Sequence, residues 1–412
     1  MTLNEHKIIY ITREIERALG MPPNQNFIVI TNKTKYGEYI KQQYPDFVHL
    51  IENNGKDLLG TTELISHPET AKIVTPDSKI LVFKNTLRVE SEINAKGWKI
   101  VNPKYHLSEK VENKLSQVRW LGDLAKKYLP VHTVKLTKQI SWKNEPFIIQ
   151  WAHGHTGDGT ILVKTYEELC SLQEKFPERM ARLTSFINGP SFTVNVVIAK
   201  NKILMGNISY QITGLQPFTD NEFSTIGNDW GYAHKVLNSR DLANIQEIVR
   251  DVGAKLQKDG WKGLFGIDLI MEEKSRRIYL IEINARQPAS ATFESILESK
   301  QRENKGIKGV TTFEAHLRAL LDLPIDQDII SIEDGAQIVQ RVTKNIQGIF
   351  DESLKELKNK GFEIIIYENV TLNSDLVRIQ SDFGIIENHG TLNQKGLLIA
   401  ETIKSSKFNI EV

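Results

Sequence analysis

Short apolar runs punctuate the first hundred residues: KIIYIT, NFIVITN, FVHLIE, AKIVT, KILVFKN and WKIVNP. Between them lie polar segments with helical spacing or turn residues. Strands alternating with crossovers predict an open parallel sheet. The spacing of Val111, Leu115, Val118, Leu121 and Leu124 then predicts one long helix, capped by Ser108 and stopped at Pro130. From residue 147 to 214 the pattern returns to strands, which predict a small antiparallel sheet interrupted by a helix between Thr165 and Pro177. Residues 215–234 are polar and without period, a length that favours a functional loop; Phe218, Phe223, Trp230 and Tyr232 argue against disorder. A second long helix runs from Ser239 to near Gly260. It feeds a hairpin, GLFGIDLIMEEKSRRIYLIEINARQP, and then a helix, TTFEAHLRALLDLP. The remainder is strand-rich with one helix, DESLKELKNKG. The fold class is α/β (α+β), with an N-terminal open parallel unit over 1–104, a central unit over 105–322 and a small strand-rich C-terminal unit over 323–412.

Composition narrows the function. The 412 residues carry 52 Lys and Arg against 51 Asp and Glu, a formal charge of +1. That balance gives no electrostatic footprint for nucleic acid and no polybasic membrane anchor. No apolar run reaches the length of a spanning helix. The start, MTLNEHKIIYITRE, has charges where a signal peptide needs an apolar stretch. Cys170 is the single cysteine, so no intramolecular disulfide forms. These features point to the cytoplasm. The 10 histidines include no zinc-ligand spacing, and no G-x-G-x-x-G follows a strand. Oligomeric state is not legible here, which leaves a homodimer open.

The chemistry concentrates in the hairpin. Strand alternation places Ile278, Leu280, Glu282, Asn284 and Arg286 on one face. With the turn centred near Ser275, Asp268 lies opposite Glu282. Two ionised carboxylates so opposed repel, and one takes up a proton unless a cation separates them. Asn284 adds a third oxygen donor. Few hard oxygens with room for water suit Mg²⁺, with Mn²⁺ as an alternative. Arg286 is placed to meet an anion beside the ion. The plainer alternative is a polar face turned to solvent.

A second feature is FIIQWAHGHTGDGTILV, two strands around a loop with Gly154, Gly157 and Gly159. Glycines let a backbone approach a ligand closely, and successive N–H groups form anion nests, with Thr156 and Thr160 as hydroxyl donors. The loop lacks G-K-[ST] and is not a P-loop.

Taken in order over roughly residues 1–320, these parts resemble the ATP-grasp superfamily. The likeness implies ATP held between two antiparallel sheets, under a lid over about 130–200. It implies Asp268, Glu282 and Asn284 as Mg²⁺ ligands, and Arg286 as the residue that steadies charge on a phosphorylated carboxylate. Lys114 resembles the first phosphate-binding lysine; His155, Gly157, Gly159 and Thr160 belong to the phosphate loop. Ser185, Phe186 and Ile187 resemble the adenine hinge, with Asn188 near the ribose. One departure stands out: Gln150 occupies the position of a second lysine, for which His153, His155 or Lys164 could compensate. Gln211, Asn228, Asp229 and Trp230 are candidates for reading the substrates. The implied function is an ADP-forming ligase that joins a small-molecule carboxylate to an amine, with a small-molecule kinase or a degenerate ATP-binding regulator as alternatives.

Overall fold

Branched aliphatic residues dominate the first strands, and such residues pack well on a pleated sheet. In the computed structural model, which describes residues 3–53, 57–152, 159–369 and 371–408, they form β1 (Ile8–Ile11), β2 (Phe27–Asn32), β3 (Val48–Ile51), β4 (Lys79–Val82) and β5 (Lys99–Ile100). The order is β3-β2-β1-β4-β5 and every pairing is parallel. All four residues of β1 are buried, as expected for a strand covered on both faces. One expected strand is absent: the AKIVT run falls largely in the helix Pro68–Ile73, which Pro68 opens at a position where its missing N–H costs nothing.

The long helix expected after residue 105 is broken into three, Tyr105–Glu112, Lys114–Leu121 and Asp123–Tyr128. Asn113 caps the second, accepting from the N–H groups of Leu115 and Ser116. Gly122 turns the chain at φ 61° before the third. Ser108 therefore lies within a helix, where its hydroxyl donates to the Ala285 carbonyl at 2.7 Å. The break at Asn113 makes Lys114 the first residue of the middle helix, and its side chain reaches Glu282 of the hairpin.

The strands after residue 131 divide between two antiparallel sheets rather than one. β6 (His132–Leu136), β7 (Phe147–Gln150), β8 (Thr160–Val163) and β9 (Met180–Ser185) form a four-stranded sheet in the order β6-β9-β7-β8. The larger sheet takes β10 (Ser191–Ile198), β11 (Ile203–Thr213), β12 (Thr225–Asp229), β13 (Gly263–Met271), β14 (Ile278–Asn284) and β15 (Ala336–Arg341). β16 (Gly348–Ile349) lies off this sheet and pairs with Lys407–Phe408. β17 (Glu363–Ile366) and β18 (Asp375–Ser381) complete the larger sheet, whose order is β14-β13-β10-β11-β12-β15-β18-β17. Strands from both sides of residue 323 thus share one ladder. A second helix, Gln394–Ser406, accompanies the expected one in the last ninety residues. No helix among the described residues is long and apolar enough to cross a membrane.

The core lies under the larger sheet, where Phe192, Val194, Phe265, Ile267 and Ile283 meet Ile245, Val249 and Val252 of the helix Ser239–Lys258. On the helix Thr312–Leu320, His316 accepts from the Leu264 N–H at 2.9 Å through Nδ1. Burial alone pushes its pKa down to about 3. The unfolded chain protonates this histidine below about 6.5 and the folded one does not. Stability is therefore full above that pH and falls as pH drops toward 3. Between pH 7 and 5, wild type is expected to lose about 2 kcal/mol more than His316→Gln. Urea titrations of both at pH 7 and pH 5 check this, and other titrating groups cancel in the difference.

Candidate active site

The two antiparallel sheets enclose a cavity of about 550 Å³. The chain passes from one to the other through Ser185, Phe186 and Ile187, which link β9 to β10 and line the cavity together with Lys114, Gln150, Gly159 and Thr160. Asp268, Glu282, Asn284 and Arg286 line it from the larger sheet, as do Gln211 and Asn228. His155 and Gly157, with His153, Gly154 and Thr156, lie outside the described residues.

The hairpin register pairs Asp268 with Glu282 across β13 and β14, where a turn centred near Ser275 puts them. The simple alternation along β14 does not hold. A β-bulge at Ile281 sets Leu269 opposite Leu280, then Asp268 opposite Glu282. Ile278 and Leu280 consequently join Ile283 and Ala285 in the core, while Glu282 and Asn284 face the cavity. The bulge turns an apolar strand into a ligand-bearing one midway.

Asp268 is held by neutral donors: Thr193 Oγ1 at 2.8 Å, Gln211 Nε2 at 2.7 Å and Asn284 Nδ2 at 2.9 Å. Burial, then the nearby charge of Glu282, pushes its pKa up to about 6 against the pull of those bonds. A carboxylate that is short of positive charge beside a second carboxylate is the environment a divalent ion relieves. Two carboxylates and one amide oxygen fit an ion that shares phosphate oxygens and water, and no larger acidic or histidine cluster able to hold a metal occurs among the described residues.

Two cations flank this set. Lys114 is buried, and its Nζ donates to Glu282 Oε1 at 3.1 Å, so it is no ordinary surface lysine. Arg286 donates to Glu112, whose other oxygen lies 2.5 Å from Lys84 Nζ. Burial opposes ionisation of Glu112, but these two cations outweigh it and hold its pKa below the ordinary carboxylate value. Arg286 thus shares Glu112 with Lys84, and at the cavity it also meets the charges of Glu282 and Asp268.

Gln150 pairs across the smaller sheet with Arg182, a residue whose importance the sequence did not single out. The residue is 1% exposed. Its Nε and Nη2 donate to Gln150 Oε1 at 2.9 and 2.6 Å, its Nη1 to Gln117 Oε1 at 3.1 Å, and its Nη2 to the Ile281 carbonyl at 2.9 Å. Burial lowers its pKa to about 10. The available signal was one arginine inside an otherwise weakly polar strand, MARLTS. Lys164, offered as a compensating cation, instead lies exposed, 3.8 Å from Glu222.

The expected loop over 215–234 is half structured, and two of its candidates do not reach the cavity. Asp229 ends β12 and caps the helix Trp230–Val236, accepting from the Tyr232 N–H at 2.7 Å. Trp230 is fully buried against Phe293, Leu297 and Ile332. Strand alternation turns Asp229 away and Asn228 inward, where it donates to Ser209 Oγ at 3.0 Å, whereas Trp230 already belongs to the helix that follows the strand.

Residues 111–290 match the ATP-grasp domain family model. No curated protein sequence matches the chain. Among solved structures, N5-carboxyaminoimidazole synthase from Aspergillus clavatus, in complex with ADP and 5-aminoimidazole ribonucleotide, superposes with a TM-score of 0.64 at 16% identity, covering 98% of this chain and 99% of that one. The Staphylococcus aureus N5-carboxyaminoimidazole synthetase complexed with ADP gives 0.63 at 11% identity, covering 97% and 96%. L-amino acid ligase from Bacillus licheniformis gives 0.62 at 13% identity, covering 97% of each chain. At such identities the likeness speaks for a common fold, which extends over nearly the whole chain.

Proposed function

From the premise that residues 111–290 are an ATP-grasp domain, we propose that the protein is an ADP-forming ligase that uses ATP and Mg²⁺ to join a carboxylate to an amine. The observation that carries this reading is the Asp268–Glu282 pair, brought together with Asn284 inside the cavity between two antiparallel sheets. The named neighbours support it: one synthase was crystallised with ADP and an aminoimidazole ribonucleotide, and another neighbour is an amino acid ligase.

In this reading the adenine lies by Ser185, Phe186 and Ile187, and the phosphates run past Lys114 and Thr160 toward the acidic strands. Asp268, Glu282 and Asn284 hold Mg²⁺, which supplies charge neutralisation to the phosphate oxygens. An oxygen of the substrate carboxylate attacks the γ-phosphorus; the bond to the β-phosphate oxygen breaks, leaving ADP and an acyl phosphate. The amine nitrogen then attacks the acyl carbon and inorganic phosphate departs. The protein's own part is positioning and charge stabilisation. Arg286 faces the oxygens on which negative charge accumulates, and Gln211 and Asn228 offer amides to the substrates.

The test is incubation with ATP, Mg²⁺ and a pooled library of amino acids and small carboxylates. ADP and phosphate are expected in equal amounts, with a new product whose mass equals the two substrates less one water. A stable phosphorylated product would identify a kinase instead, and nucleotide binding without turnover a regulatory protein.

A further inference from the structure

Arg182 is a charge without a counter-charge. Among the described residues its partners are two side-chain amides and one backbone carbonyl, all neutral. Glu282 acts on it only through space and is itself engaged by Lys114. Burying a cation is costly unless an anion answers it, and a guanidinium's planar fork suits phosphate oxygens. Arg182 also lines the cavity. It stands directly across the sheet from Gln150, the position where an amide replaces the lysine that the family likeness leads one to expect.

We infer that Arg182 supplies the second cation of the nucleotide phosphate site, reaching the phosphate chain from β9 in place of a lysine on β7. Gln150 then acts as a positioning residue: its Oε1 accepts two of the guanidinium's bonds and fixes the plane of the fork. The inference rests on the nucleotide-binding reading above and adds to it a residue that the family pattern does not assign.

The alternative role for Arg182 is a purely structural tie, since its bonds join the smaller sheet to the helix Lys114–Leu121 and to β14. Binding of ATP, ADP, AMP and adenosine, measured by calorimetry on the full chain, separates the two roles. For Arg182→Gln, ATP and ADP are expected to bind at least about tenfold more weakly, while adenosine binds within twofold of wild type. Restoring a cation from the neighbouring strand, in Arg182→Gln combined with Gln150→Lys, is expected to recover most of the lost ATP affinity. Equal weakening of adenosine and ATP, or ATP affinity in Arg182→Gln equal to wild type, would overturn the assignment while leaving the nucleotide site standing. Failure of the wild-type protein to bind ATP at all would remove the nucleotide reading and this inference with it. Thermal melts of each variant report whether the fold is retained.

Discussion

Glu282→Gln is expected to give a folded protein whose ATP turnover is lower by on the order of a thousandfold. The substitution keeps the shape of the side chain and removes its charge. Two consequences follow at once: the acidic pair loses half of its negative charge, and Lys114 loses the carboxylate it contacts at 3.1 Å. The fold tolerates the change because Glu282 is partly exposed and belongs to no apolar cluster. ADP release under saturating ATP and Mg²⁺ measures the loss, and an unchanged melting temperature confirms that chemistry rather than folding has failed. Turnover within a few-fold of wild type would remove Glu282 from the metal site.

The second large effect concerns Asp229, a residue that reads from sequence as a substrate contact. Its Oδ1 accepts from the Tyr232 N–H at 2.7 Å, and its Oδ2 from the N–H groups of Ile385 and Ile386 at 2.7 and 2.9 Å. Burial outweighs these three bonds and leaves its pKa above the ordinary value. Asp229→Ala would strand three buried donors, each worth about 1–3 kcal/mol, so a destabilisation of about 3–6 kcal/mol is expected. Asp229→Asn, which keeps one acceptor oxygen, should cost less. Urea midpoints measure both, and the nucleotide affinity of whatever remains folded should not change. A stable Asp229→Ala protein with weakened substrate binding would return this residue to the active site.

These two aspartate and glutamate positions show what a sequence can and cannot display. The pairing of Asp268 with Glu282 follows from a polar turn of definite length between two apolar runs, which is local information. The bulge at Ile281 is not local, for nothing in IYLIEIN marks the residue that will be skipped. Arg182 stayed hidden for a related reason. Its chemistry arises from burial against Gln117, Gln150 and Ile281, three partners distant in sequence. Asp229 and Trp230 misled because short polar and aromatic stretches look alike whether they face a ligand or cap a helix. The breaks at Asn113 and Gly122 were visible as a capping residue and a glycine, yet the apolar spacing continues through both.

The ladder that runs unbroken from β14 to β17 has a bearing on ancestry. Gly227, Asn228 and Asp229 pair with β11 on one side and with β15 on the other, so β15, β17 and β18 are woven into the same fabric as the acidic hairpin. Such a tail cannot be exchanged as a cassette between relatives. Any donor segment must bring a strand of matching length and phase, and variation in the two parts is tied together stitch by stitch.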